Sequence, residues 1–156
     1  MGMKVNCNKL GLDIGSTTVK LAVFNQENEL IYRKYKRHLS DIKNSVLSLL
    51  KECFNALEDI PCTINITGSG GISISQWTNI CFVQEVIACT KAVETLIPQT
   101  DVVVELGGED AKITYFRGGM EQRMNGNCAG GTGAFIDQMA TLLNTDAFGL
   151  NEFAKN

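Results

Sequence analysis

Thirteen residues of this chain occur twice in one pattern, and that repetition limits the possible folds more than any other feature. Laid over residues 104–116 (VELGGEDAKITYF), residues 12–24 (LDIGSTTVKLAVF) match as apolar, acid, apolar, glycine, small, two variable positions, apolar, lysine, apolar, variable, apolar, phenylalanine. Asp13 stands over Glu105, Gly15 over Gly107, Lys20 over Lys112 and Phe24 over Phe116, all at one offset of 92 residues. Each copy carries Val, Ile or Leu in its flanks and small residues at its centre, which reads as two strands joined by a tight turn. A second turn follows each hairpin, at residues 26–28 and 117–119, and leads to a third strand near residues 29–36 and 120–125.

Between the copies the period changes from two to 3.6. Ile42, Val46, Leu49, Leu50, Cys53, Phe54 and Leu57 recur at helical spacing behind Ser40, a good N-cap, and the helix must stop before Pro61. A strand at residues 62–66, a glycine-rich loop at 67–71, a short apolar strand near 80–83 and a helix at 85–97 ended by Pro98 follow. The second copy yields three strands and one helix, at about residues 132–144. Three strands followed by alternating helix and strand predict an α/β domain with a mixed sheet over residues 1–98, and the beginning of a second, related domain over 99–156. The first unit occupies about ninety residues and the second fewer than sixty, so the second is expected to be truncated and the chain to be an amino-terminal piece of a longer protein.

Composition narrows the functions. With 44% hydrophobic and 20% charged residues the chain can bury a core, and a formal net charge of −3 gives no electrostatic reason to expect nucleic acid. The one basic cluster, residues 33–38, reads as the solvated face of a strand. There is no signal-like run at the start and nowhere are there eighteen consecutive apolar residues, so a cytoplasmic protein without a membrane partner is expected. The six cysteines (Cys7, Cys53, Cys62, Cys81, Cys89 and Cys128) form no C-x-x-C pair, and most read as buried thiols in a reducing compartment, with Cys53, Cys62, Cys81 and Cys89 assigned to the core.

A turn of small residues between two strands aims consecutive backbone N–H groups into one concavity, a nest for phosphate oxygens. Gly15, Ser16, Thr17 and Thr18 form such a turn with hydroxyl donors around it, and Asp13 beside it could hold Mg2+ through water. Two hairpins of this kind facing each other would clamp a polyphosphate, whereas one alone is as well explained as a tight hairpin. Cys128 stands apart from the other cysteines because its glycine-rich loop leads into a predicted helix N-terminus, a position that favours the metal-binding thiolate. A small residue in a packing or anion-binding loop is the other explanation for it.

At these residues a family resemblance becomes specific. LGLDIGSTTVK and VVVELGGEDAKITYF resemble the two phosphate loops of the superfamily that includes sugar kinases, actin and the heat-shock chaperone ATPases. That implies an actin-like ATPase (ribonuclease H-like) fold, in which two related domains close on ATP and the later part of the second carries the adenosine motif. Within it, residues 67–71 (TGSGG), 107–110 (GGED) and above all 124–133 (MNGNCAGGTG) resemble the activator ATPases of 2-hydroxyacyl-CoA dehydratases and benzoyl-CoA reductases, over nearly all of the chain. The resemblance implies catalytic roles for Asp13, Glu109 and Asp110, and cofactor contacts from Gly15, Ser16, Thr17, Thr18, Lys20, Gly107, Gly108, Gly130 and Gly131. It implies ATP, Mg2+ and a four-iron, four-sulfur (4Fe-4S) cluster as cofactors, the cluster being shared by a homodimer to which each subunit gives Cys128 and a later cysteine. The implied partners are a CoA-ester dehydratase or reductase component, and reduced ferredoxin or flavodoxin as electron donor. Glu105 departs from the usual Asp, and Glu109 stands where Gln is common. A sugar-type kinase with Asp110 as base, or a nucleotide-gated binding module without iron, are the rival functions on the same fold.

Overall fold

The computed structural model describes residues 7–57, 61–125 and 132–155. Two compact units divide between Ala92 and Val93, and each is described by itself.

In the first unit a five-stranded sheet has the order β3-β2-β1-β4-β5, with β1 Asn8–Ile14, β2 Thr18–Phe24, β3 Leu30–Arg37, β4 Cys62–Thr67 and β5 Cys81–Phe82. The meander β1-β2-β3 is antiparallel and β4 joins β1 in parallel, which makes the mixed sheet that the sequence predicts. Alternation along the strands sorts the residues cleanly. Leu10, Leu12, Ile14, Val19, Leu21, Val23 and Ile66 are buried in one core with Val46, Leu49 and Cys53 of helix α1 (Ile42–Ala56). Asp13, Lys20 and Thr67 alternate with those positions and so lie on the opposite face of the sheet.

Several local expectations change. The N-cap of α1 is Asp41, whose carboxylate accepts from Asn44 N–H at 3.2 Å, and not Ser40. Leu39 and Ser40 both have positive φ (48° and 68°), and this turn spends Ser40 before the helix begins. Hydrogen bonds from the Asn44 side chain and backbone hold the Asp41 carboxyl below its usual range. Helix α2 (Gly71–Thr78) fills the stretch between the glycine-rich loop 67–71 and the strand expected near residues 80–83, to which the sequence pattern assigns no element, and only β5 of that strand forms. A short helix that begins on glycine has no sequence signature. It forms because Gly71 packs where a Cβ would lie 2.6 Å from Ile66 Cγ2, and because Asn79, at φ 55°, ends it. Among the cysteines, Cys53 is buried and Cys62 and Cys89 are half-buried, but Cys81 is exposed because β5 is a two-residue edge strand. Burial pushes the Cys53 and Cys62 thiols up, away from reactivity. Helix α3 (Glu85–Leu96) follows and runs across the division between units.

The second unit has a three-stranded antiparallel sheet, β6 Val102–Leu106, β7 Ala111–Tyr115 and β8 Glu121–Met124, then helices α4 (Gly133–Leu142) and α5 (Ala147–Phe153). The internal repeat is preserved down to its pairing, since Asp13 faces Lys20 across β1/β2 and Glu105 faces Lys112 across β6/β7. Helix α5 lies beyond the expected elements; its N-cap Asp146 accepts from Gly149 N–H at 2.8 Å. On β6 the apolar residues Val102, Val104 and Leu106 are exposed, Val104 to 63%.

Leu49 is fully buried under the β1-β2 sheet face while Leu47, two residues away, is exposed. Replacing Leu49 by Ala should therefore lower unfolding free energy by about 2–5 kcal/mol, and Leu47→Ala by no more than about 0.5 kcal/mol. Urea titrations of the two variants would measure the contrast.

Candidate functional site

The first glycine turn is closed by Gly15 N–H donating to Thr18 C=O at 2.9 Å. Its outer side is tied to one residue. His38, which is 5% exposed, accepts from Ser40 N–H at Nδ1 (3.1 Å), so Nε2 carries the proton and donates to Gly15 C=O at 3.2 Å. The His38 backbone N–H also donates to Thr17 C=O at 3.2 Å. His38 is thus a structural part of the turn rather than the last member of a solvated basic face, which is where its position in the cluster 33–38 had placed it. Composition hides this, but one signal was available: the residue directly follows β3, at the sheet end where the first turn also lies.

Asp13, the carboxylate before that turn, is fixed from two sides. Lys20 donates to its Oδ2 at 2.7 Å; both side chains are partly exposed, so the pair orients the carboxylate more than it stabilises the fold. From β4, Gly68 comes so close that a Cβ there would overlap the Ile14 carbonyl and lie 2.6 Å from Asp13 Oδ1, and Gly70 N–H donates to Ile14 C=O at 2.8 Å. The glycine-rich segment 67–71 is therefore packed directly against the first hairpin. Thr67, in register with Asp13 on the parallel strand, has a buried hydroxyl with no hydrogen-bond partner. A buried orphan hydroxyl is costly unless water or a ligand satisfies it. One carboxylate with a free oxygen beside such a hydroxyl suits Mg2+, which takes few direct carboxylates and keeps its waters. Among the described residues, no group of three or more His, Cys, Asp or Glu could by itself hold a metal ion.

The second hairpin repeats the closure, with Gly107 N–H donating to Asp110 C=O at 2.8 Å. Its outer side is held by the start of α4: Gly133 N–H donates to Gly107 C=O at 2.7 Å and Ala134 N–H to Gly108 C=O at 3.2 Å. Glu109 and Asp110 are exposed at the tip of this turn, and Glu105 is half-buried. The sequence-predicted residues thus fall into two sets. Asp13, Gly15, Ser16, Thr17, Thr18 and Lys20 are gathered at one turn, and Gly107, Gly108, Glu109 and Asp110 at the other. Cys128, Gly130 and Gly131 lie outside the described residues.

The two hairpins share one register, and each is closed by a glycine N–H. Residues 10–155 match the BadF/BadG/BcrA/BcrD ATPase family. The chain belongs to this family. It is 28% identical to the 2-hydroxyisocaproyl-CoA dehydratase activator of Clostridioides difficile, over 94% of this chain and 56% of that protein. It is also 28% identical to the (R)-2-hydroxyglutaryl-CoA dehydratase activating ATPase of Acidaminococcus fermentans, over 92% of this chain and 56% of that protein. The solved structure of the activator of the 2-hydroxyisocaproyl-CoA dehydratase from Clostridium difficile with bound ADPNP superposes with a TM-score of 0.77 at 25% identity, covering 96% of this chain and 57% of that one. The fold is therefore that of the actin-like ATPase activators, as the family resemblance implies. The chain spans little more than half the length of these relatives.

Gly68 has φ +92° and no room for a Cβ, whereas Gly118 has φ +77° with open space around it. Alanine at 68 should thus cost well over 1 kcal/mol and displace the Asp13 carboxylate, and alanine at 118 only the backbone strain. Thermal unfolding of both variants, with side-chain NMR of Asp13, would register the difference.

Proposed function

We propose that this chain is the phosphate-gripping part of an ATP-binding and ATP-hydrolysing activator, which passes a low-potential electron from an iron–sulfur cluster to a CoA-ester dehydratase or reductase. The observation that carries the ATP half is the pair of hairpins with one register and one closing bond each, at Gly15 and at Gly107. A single tight turn can be a mere turn, but two matched nests of N–H groups suit the two ends of a polyphosphate. Membership of an ATPase family and similarity to two dehydratase activators support the same reading.

The chain's own residues divide the work. The turn 15–18 would present N–H and hydroxyl donors to phosphate oxygens, and Asp13 would hold Mg2+ through water. Glu109 and Asp110, exposed on the second turn, are the carboxylates available to orient an attacking water. Gly130 and Gly131, outside the described residues, would give further phosphate contacts, as the family resemblance implies.

The electron half rests on Cys128. A cubane cluster takes four thiolates, so two copies of Cys128 supply half, and a later cysteine from each subunit of a homodimer supplies the rest. Such a cluster would supply one-electron chemistry at low potential, with reduced ferredoxin or flavodoxin as the donor and the dehydratase or reductase component as the acceptor. The setting is cytoplasmic, where the thiols stay reduced.

In the full-length protein Asp13→Asn should lower hydrolysis at least tenfold while changing nucleotide affinity by less than about threefold, because the lost charge acts through Mg2+ and the backbone nest remains. Turnover and calorimetric affinity measured side by side test this, and normal turnover removes Asp13 from the metal site.

Cys128→Ser in the same protein should abolish iron content and visible absorbance and leave ATP affinity unchanged. Iron and sulfide analysis of anaerobically purified protein decides it. A wild type that takes up no iron, yet phosphorylates an added sugar, points instead to a small-molecule kinase with Asp110 as base.

A further inference from the structure

We infer that His38 is the positioning residue of the first phosphate turn, fixing which way its backbone donors face; the inference rests on the ATP-binding reading of that turn. A trans peptide is planar, so the C=O of one residue and the N–H of the next point in opposite directions. The chain has no cis peptide among its described residues. Gly15 C=O is held by His38 Nε2–H and Thr17 C=O by His38 N–H, both from one side. The N–H groups of Ser16 and Thr18, which belong to those same two peptides, are thereby turned to the other side. Ser16 N–H meets no acceptor among the described residues. It is a donor aimed and left open for an oxygen that the chain does not itself provide.

The second copy of the repeat reaches the same arrangement by other means. Gly107, the equivalent of Gly15, has its carbonyl held by Gly133 N–H at 2.7 Å, which turns Gly108 N–H away in the same sense. Two unrelated donors, an imidazole and a helix N-terminal amide, converge on the equivalent carbonyl. A ring placed only to fill space would have no reason to reproduce that bond. His38 is itself anchored, through Nδ1 by Ser40 N–H and through its carbonyl by Asp41 N–H at 2.7 Å, in a turn where Leu39 and Ser40 are both held at positive φ. The strained turn therefore sets the ring, and the ring sets the phosphate donors.

Two substitutions separate this from packing. Gln at position 38 can place an amide N–H where Nε2 is, whereas Asn can replace only the Nδ1 acceptor and leaves Gly15 C=O unpaired. In the full-length protein, His38→Asn should weaken ATP affinity tenfold or more and leave adenosine affinity unchanged, while His38→Gln should stay within threefold of wild type for both. In nucleotide-free protein, backbone NMR order parameters of residues 15–18 should fall in His38→Asn and hold in His38→Gln. Equal ATP affinities in the two variants, or losses that follow their melting temperatures alone, overturn the inference. So does unchanged order of the turn in His38→Asn, whatever the nucleotide does. A wild type that binds no ATP at all would instead sink the reading on which the inference stands, and the order parameters would still decide whether His38 holds the turn.

Discussion

Strand β1 is paired along both edges, antiparallel to β2 and parallel to β4, and every functional feature of the first unit depends on that. Pairing on both sides fixes the register twice over. A slip of one residue would carry Leu10, Leu12 and Ile14 out of the core and swing Asp13 into it, at a cost that the buried face makes prohibitive. The same register brings three chemically different neighbours to one carboxylate: an ammonium from β2, a hydroxyl from β4 and the bare backbone of Gly68. The hydrophobic alternation that folds the sheet is thus what assembles the candidate magnesium site on its other face.

The repeat shows how far that logic extends and where it is varied. Both hairpins keep acid opposite lysine and both close through a glycine N–H. They differ in what lies behind them. The first is backed by a strained turn and a histidine, the second by the first turn of α4. In the second copy Gly133 approaches so closely that a Cβ would lie 2.9 Å from Gly107 O, which accounts for glycine in a place where helices seldom favour it.

Much of this was legible in the sequence because it is local or periodic. The matched hairpins, the α1 stripe, the third strands and the breaks at Pro61 and Pro98 all follow from spacing alone. The misses have different causes, none of them written in the hydrophobic period. Helix α2 begins on glycine only because Ile66 leaves room for nothing larger. Cys81 is exposed because β5 is an edge of two residues, which an apolar run cannot announce. Asp41 caps α1 because the backbone has already turned at Leu39 and Ser40, two residues that ordinarily avoid positive φ. His38 looked basic and solvated among arginines and lysines, yet its ring is spent on backbone groups of another turn. The two glycine turns form where the sequence places them, because a tight turn is written in consecutive small residues between apolar runs.

The unequal backing of the two turns bears on how such a protein can drift or be re-engineered. A hydrogen bond donated by a side chain can be strengthened, weakened or removed by a single codon change, so the first turn is open to graded tuning at position 38. A bond donated by a main-chain amide offers no such range, since at 133 proline would delete it and any other Cβ would lie 2.9 Å from the very carbonyl that it holds. One turn is therefore adjustable by mutation, while the other tolerates little but glycine. Variation among descendants should accumulate in the first hairpin's surroundings while the second stays as it is.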